Sequence, residues 1–411
     1  MATDKPKQTP LLEAQNPRPL ALLCIDVIAA NFASRPTLRG IPARFVPKVT
    51  ALLPLDLPLE VVSPIIDDEV YWRRRALGRW SNCQVGEHGS SWKRLFFETH
   101  LQDFLEAFDV AKQSNEELMQ LLALSKDYIF SLRVRQLLSH LDLATFFQAV
   151  PTLSNLDLTY GALHVGMSYV RTLFGMKPQD VTSLAKALRV TETLTVMSLR
   201  ANQLDDSAVR TLAAGLMTNS TVTVLDLSHN RLADRGVKAL AKLLGASSVL
   251  VSLDLADNHV HADGGKYLGR ALRVNSSLQS LNLRLNRLGD EGCRLLLDGC
   301  KENASLARLN LSCNAAEAEV AQALLALLPC NAALTDLDLS ANALDEAGVR
   351  LIRAALESNS TLLKIDLRLN RAEPDTVGAI EELAKRNQLA HQRTLRRAQD
   401  GSRAHSAAAA S

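Results

Sequence analysis

Aromatic residues are scarce in this chain: only 4% of its 411 positions, although 47% are apolar. A core of any size must therefore be built from Leu, Ala and Val, which favours helical or solenoid architecture over aromatic-rich sandwiches. An excess of one charge is also missing. With 46 basic and 44 acidic residues the net charge is +2, so no global field draws the chain to nucleic acid or to a membrane surface. The cysteines (Cys24, Cys83, Cys293, Cys300, Cys313 and Cys330) are scattered and form no CxxC pair. A disulfide framework is not indicated, and a reduced intracellular protein is the plain expectation. No apolar run reaches the roughly 18 residues that a membrane helix requires. Residues 1–19 are rich in Pro, Lys and Gln and lack the apolar segment of a secretory leader, so a soluble chain is expected.

Phosphate-cradling loops are absent too: neither GxxxxGK[ST] nor GxGxxG occurs, which removes the usual support for nucleotide chemistry. The histidines form no ligand constellation. His259 and His261 share one turn with Asp257 and Asp263, which reads as a polar turn rather than a metal site. No metal, cofactor or small-molecule substrate is expected.

What the chain does have is a repeat. LTVMSLRAN (194–202), VTVLDLSHN (222–230), LVSLDLADN (250–258), LQSLNLRLN (278–286), LARLNLSCN (306–314), LTDLDLSAN (334–342) and LLKIDLRLN (362–370) end on asparagines spaced 28 apart at every step. The pattern LxxLxLxxN is the leucine-rich-repeat consensus. Alternation in LxL turns two leucines inward from a short strand. The Asn then falls at the turn, where its side chain satisfies free backbone groups. A helix follows: Val237, Leu240, Ala241 and Leu244 lie at i, i+3, i+4 and i+7 on one face. Asp206, Asp234 and Asp290 stand at the helix starts, where each is expected to cap its own helix. A second asparagine recurs 17 residues after the first, at Asn219, Asn275, Asn303, Asn331, Asn359 and Asn387, with Ser247 the exception. It is expected to adopt the left-handed conformation of a helix C′ position.

These units predict an α/β leucine-rich-repeat solenoid of the ribonuclease-inhibitor type, with a parallel sheet lining the inside of an arc and helices outside. LSNLDLTYG (153–161) is an earlier copy ending on glycine, and IFSLRVRQL (129–137) a more degenerate one. An insertion of about 162–178 lies between the strand at 153–161 and the helix that follows it. Residues 19–128 read as an N-terminal helical domain, residues 129–387 as the repeat array, and residues 1–18 and 388–411 as disordered tails, the second one basic. In the helical domain, Leu20, Cys24 and Ile28 form one stripe of an amphipathic helix, and prolines punctuate residues 41–80.

Asp226, Ser228 and His229 offer the three residue types of a hydrolytic triad within four positions. Asp recurs at the first of these positions as Asp157, Asp254, Asp338 and Asp366, and Ser at the second as Ser312 and Ser340, with no His beside either. A scaffold must repeat every 28 residues and an active site need not, so the cluster is read as architecture and no catalytic residue is assigned. Partner-binding candidates are the charges of the concave face, Arg200, Arg284 and Arg368 with Asp226, Asp254, Asp338 and Asp366. The others are the aromatic and sulfur side chains of the insertion, Met167, Tyr169, Phe174 and Met176, which either bind a partner or fold back as a plug over the core.

The segments IDDEVYWRRRALGRW (66–80), GSSWKRLFFETHLQDFLEAF (89–108), VGMSYVRTLF (165–174) and LQSLNLRLN (278–286) resemble the leucine-rich-repeat subunit of the nexin–dynein regulatory complex, the T-complex-associated testis-expressed type. Residues 66–108 are the most diagnostic, because they lie outside the generic repeat. The resemblance implies a non-enzymatic scaffold of the ciliary or flagellar axoneme, in the cytoskeleton. It would bind other subunits of that complex, which links doublet microtubules and regulates dynein arms, and would touch neither nucleic acid nor membrane. A rival reading uses Pro19, Leu20, Cys24 and Ile28, which fit PLxxxCxxxI, similar to the elongin-binding box of ubiquitin-ligase receptors. Ile41, Pro42, Phe45 and Val49 fit an adjoining cullin-box pattern, and the repeats would then bind substrate. A GTPase-activating role for the nuclear-transport GTPase rests on the repeat type alone and ranks last, because such proteins typically end in an acidic region and this tail is basic.

Overall fold

The computed structural model describes residues 19–109, 115–138, 140–162, 173–246 and 248–409, with side chains to residue 397. The chain divides into two compact units, Met1–Phe97 and Glu98–Ser411, a division inside one helix rather than at the expected 128.

The first unit contains α1 (Leu20–Ala30), α2 (Val46–Leu52), α3 (Leu59–Val62), α4 (Glu69–Leu77) and the start of α5 (Trp92–Ala107). Proline holds the φ of a first helical turn and lacks the N–H that a helix interior needs, so it separates these short helices. The core is aromatic, against the trend of the whole chain. Trp72 is fully buried, donates its indole N–H to the Ile66 carbonyl at 2.8 Å, and packs 5.2 and 5.3 Å from the rings of Phe96 and Phe97. Lys93 is buried beside them, and its ammonium donates to the Ser63 carbonyl at 2.9 Å and to Asp67 at 2.6 Å. The α1 stripe differs from expectation: Ile25 and Ala29 face the core, whereas Leu20 and Cys24 are exposed. Nearly every residue of LALLCIDVIAA is apolar, so hydrophobic periodicity does not select a face there.

The second unit opens with the end of α5 and with α6 (Asn115–Ser125), then alternates strands and helices. These are β1 (Ser131–Leu137), α7 (Leu143–Ala149), β2 (Asn155–Tyr160), α8 (Pro178–Val190), β3 (Val196–Ser198), α9 (Asp206–Leu216), β4 (Val224–Asp226), α10 (Asp234–Gly245), β5 (Ser252–Asp254) and α11 (Ala262–Leu272). They continue as β6 (Ser280–Asn282), α12 (Gly289–Cys300), β7 (Arg308–Asn310), α13 (Ala318–Leu327), β8 (Asp336–Asp338), α14 (Glu346–Glu357), β9 (Lys364–Asp366) and α15 (Pro374–Ala409). The nine strands form one parallel sheet in sequence order, and from β3 onward each residue pairs with the residue 28 ahead of it. This is a leucine-rich-repeat solenoid, and 129–137 and 153–161 supply its first two strands.

Three side-chain ladders hold the repeats in register. In the first, the turn asparagine is buried and reaches backward. Asn286 donates to Leu255 of the preceding repeat at 2.9 Å and to Leu283 of its own turn at 3.0 Å, while its oxygen accepts from Val260 N–H at 3.0 Å. Asn230, Asn258, Asn314 and Asn342 repeat the pattern. The residue before each asparagine is left-handed: Ala201, His229, Asp257, Leu285, Cys313, Ala341 and Leu369 have φ between 51° and 60°.

In the second ladder Asn303 donates to the Leu272 carbonyl at 2.8 Å and accepts from the Ser305 and Leu306 N–H groups. Asn219, Asn275, Asn331 and Asn359 do the same. None of these asparagines has positive φ, so the left-handed expectation fails for them. Their side chains tie one helix end to the next strand entrance, and the backbone needs no left-handed residue there. In the third ladder the helix-start carboxylates cap the following helix rather than their own. Asp206 accepts from Ala233, Asp234 from His261 and Gly264, and Asp290 from Glu317, Glu319 and Val320. Among the other helices, Asp205 and Asp345 cap their own.

Helices α11 and α12 meet through glycine. A Cβ on Gly299 would lie 2.1 Å from the Gly269 carbonyl oxygen, and one on Gly265 would lie 2.3 Å from that of Gly292. Only glycine permits that backbone approach. At the leading edge Glu98 stands in for an absent repeat. One carboxylate oxygen accepts from Phe130 and Ser131 at 2.8 and 2.7 Å, the positions that in later repeats donate to the previous strand's carbonyl. Segment 388–411, expected to be disordered, continues α15 as helix to Ala409. Its Ala, Arg and Gln residues have high helix propensity, which low hydrophobicity does not oppose.

Candidate interaction surface

The sheet face is built from the first and third residues of each three-residue strand, because the middle residue, the first leucine of LxL, turns into the core. Leu225, Leu253, Leu281, Leu309 and Leu337 are buried while their strand neighbours face outward. At the third position stand Asp226, Asp254, Asn282, Asn310, Asp338 and Asp366, and each accepts the N–H two residues ahead at 2.8 to 3.1 Å. This Asx turn explains the recurrence: Asp and Asn interchange because only one oxygen is needed. The row is also bonded across strands. Asn282 donates to Asp254 at 2.9 Å and Asn310 to Asp338 at 3.0 Å.

These carboxylates do not behave alike. Burial pushes the Asp254 carboxyl above the usual aspartate range, and the nearby Asp226 adds to the rise. Asp366 is held below that range by its hydrogen bonds from Arg368, whose guanidinium lies 2.5 Å away. Of the three arginines expected to face a partner, Arg368 is thus paired within its own turn. Arg200 donates to His229 Nε2 at 2.9 Å, and His229 Nδ1 faces Asp257 at 2.7 Å, a chain of contacts across three successive repeats. Arg284 is exposed. Ser228 is buried, its N–H bonded to Asp226, and His229 points to Asp257 in the next repeat. Triad residue types are present in VLDLSHN, but a triad geometry is not.

In the insertion, Met167 and Tyr169 lie outside the described residues. Phe174 and Met176 fold back on the array. Met176 is buried with its N–H on the Asn202 carbonyl at 2.9 Å, and the Phe174 ring fills the space where Gly161 lacks a Cβ.

The first strand position carries a row that sequence reasoning missed. Arg308, Asp336 and Lys364 are in register on β7, β8 and β9, so charge alternates along the line. They line a shallow groove with Asp254, Asn310 and Asp338. The signal was present as the third residue of each LxxLxL, a position treated as generic. Among the described residues no cluster of metal-ligating side chains occurs, and no helix is long and apolar enough to cross a membrane.

Comparison with known proteins agrees with this geometry. The family described as Leucine Rich repeat matches residues 218–241, 246–269 and 274–297. The dynein regulatory complex subunit 5 of Chlamydomonas reinhardtii is 50% identical over 193 residues, covering 47% of this chain and 50% of that protein. Its Mus musculus counterpart is 35% identical over 219 residues, covering 46% of this chain and 44% of its own length. The chain thus spans about half the length of the curated relatives it matches. Among solved structures, the leiomodin-1 actin-binding site 2 aligns at 18% identity with a TM-score of 0.28, over 55% of this chain and 96% of that one. The chain carries leucine-rich repeats and is similar to dynein regulatory complex subunit 5 over about half of its length.

Proposed function

We propose that the chain is a structural, non-catalytic subunit of a dynein regulatory complex in the ciliary or flagellar axoneme. It contributes to the link between doublet microtubules and to control of dynein-driven motility through protein–protein binding. The observation that carries this reading is the 50% identity over 193 residues with the algal subunit. Supporting it, the carboxylates of the sheet face serve their own turns. Its partners are other subunits of the complex, with doublet microtubules or dynein arms reached through them. Nucleic acid, membrane and small-molecule substrates have no part. The docking surfaces are the charged sheet face, with Arg200 and Arg284 at its rim, and the insertion that carries Met167 and Tyr169. No comparison lends support to the elongin–cullin reading.

The test is to purify tagged protein from ciliated cells and follow it through salt washing of axonemes. Retention with the regulatory complex is the expected result. Recovery only in a soluble fraction with elongin and a cullin would overturn it. At the insertion, Met167→Ala with Tyr169→Ala should impair assembly while the chain stays folded; intact assembly removes the docking role.

A further inference from the structure

The two edges of the sheet are finished differently. In every inner repeat three backbone groups bond to the next strand. Leu339 N–H donates to Asp366 at 2.8 Å, Ala341 N–H donates to Arg368 at 2.8 Å, and the Thr335 carbonyl accepts from Leu363 and Lys364 at 2.8 and 3.0 Å. Their equivalents on β9 are the Leu367 N–H, the Leu369 N–H and the Leu363 carbonyl, and among the described residues none has a partner. The β1 edge lacks this opening, because Glu98 and Glu106 take the Phe130, Ser131 and Arg135 N–H groups. On β9 itself Lys364 is exposed and the Leu369 side chain is 82% accessible, while the Leu367 side chain is buried and α15 packs beside the strand. A row of unpaired donors and acceptors at strand spacing is a template for one more strand.

We propose that the outer edge of β9 is a docking site for an extended segment of another protein, which adds a tenth parallel strand. The register line specifies its chemistry. Charge runs plus, minus, plus through Arg308, Asp336 and Lys364, and Lys364 makes no direct ion pair among the described residues. The incoming strand therefore carries an acidic residue opposite Lys364, with leucine-type residues alternating beside it. A second copy stacked head to tail does not fit, since it would have to present its β1 edge, whose donors Glu98 and Glu106 already occupy.

The full chain is tested by amide exchange at single-residue resolution with a synthetic LTDLDLSAN peptide, the sequence of residues 334–342, which places its own Asp opposite Lys364. In the free chain the Leu367 and Leu369 amides should exchange freely while Leu339 and Ala341 are protected. Saturating peptide should slow the first pair by roughly tenfold or more. Lys364→Glu lies on an exposed side chain and should leave folding intact while weakening binding; a peptide with Lys in place of that Asp should restore it. Any of three results overturns the proposal: slow Leu367 and Leu369 exchange in the free chain, no protection by peptide, or indifference to the charge swap. Concentration-dependent protection of the peptide-free chain, with sedimentation as a dimer, assigns the edge to a second copy and equally overturns it.

Discussion

Asp234, in the first turn of α10, accepts the N–H of Gly264 in α11 at 2.9 Å, so one repeat's carboxylate caps the next repeat's helix. The sequence position is that of an ordinary self-cap. Asp234→Ala should therefore fray α11 rather than α10 and cost about 1 kcal/mol. Amide exchange should locate the loss at His261 and Gly264, both of which Asp234 serves.

Asn286 satisfies carbonyls of two repeats and one N–H with a single amide. Asn286→Ala leaves those groups buried and unpaired, at about 1–3 kcal/mol for each that water does not reach. Chemical denaturation should show a loss larger than any surface substitution produces. Asn286→Asp should not rescue it, because a carboxylate lacks the donor.

Gly299→Ala pushes a methyl group into the Gly269 carbonyl, which would be 2.1 Å away. Neither backbone gives way easily, so α11 and α12 must separate. A cost of about 3 kcal/mol is expected in thermal unfolding, at the upper end for overpacking by one carbon.

Ala341 has φ 53°, a conformation in which a Cβ crowds the backbone. Ala341→Gly should stabilise the fold by roughly 0.5 kcal/mol, since relief of strain slightly exceeds the entropy that glycine loses. Ala341→Val should lower stability, because a β-branched residue is far less tolerant there. A reversed order of the two variants in denaturation midpoint refutes the argument.

Two carboxylates of one row should respond to pH in opposite senses. Asp366 is held below the usual range, so its contribution is present above the unfolded-state value near 3.9 and is lost as pH falls through the folded one. Asp254 is raised by burial, so the folded state takes up its proton first and this group's cost fades as pH falls. Carboxyl NMR titration should place Asp254 above and Asp366 below an ordinary aspartate; Asp366 titrating the higher of the two contradicts both assignments.

The repeat period, strand positions, inward leucines and turn asparagines were all legible in the sequence. Each is a local pattern repeated with an unvarying spacing. The reading of Asp226, Ser228 and His229 as architecture came from the recurrence of the pattern, and the structure buries Ser228 and turns His229 toward Asp257. Other features misled for a stated reason. Leu20 and Cys24 looked like a core stripe because α1 is apolar on all sides, yet Ile25 and Ala29 are the buried pair. The concave carboxylates were legible as a recurring row, but only the structure shows that one oxygen of each holds its own turn.

By itself, then, the sequence determined the unit: what repeats, how often, and which residues enter the core, because those depend on spacing along the chain. Tertiary structure alone decided to whom each polar group belongs. Asp234 serves α11 rather than α10, Asn286 reaches back to Leu255, and Glu98 takes the place of a missing strand. These bonds join residues about one repeat apart, and only stacking of the units brings their donors and acceptors within reach. The same stacking leaves Leu367 and Leu369 without a neighbour at the far edge, although nothing in their local sequence distinguishes them from Leu339 and Ala341.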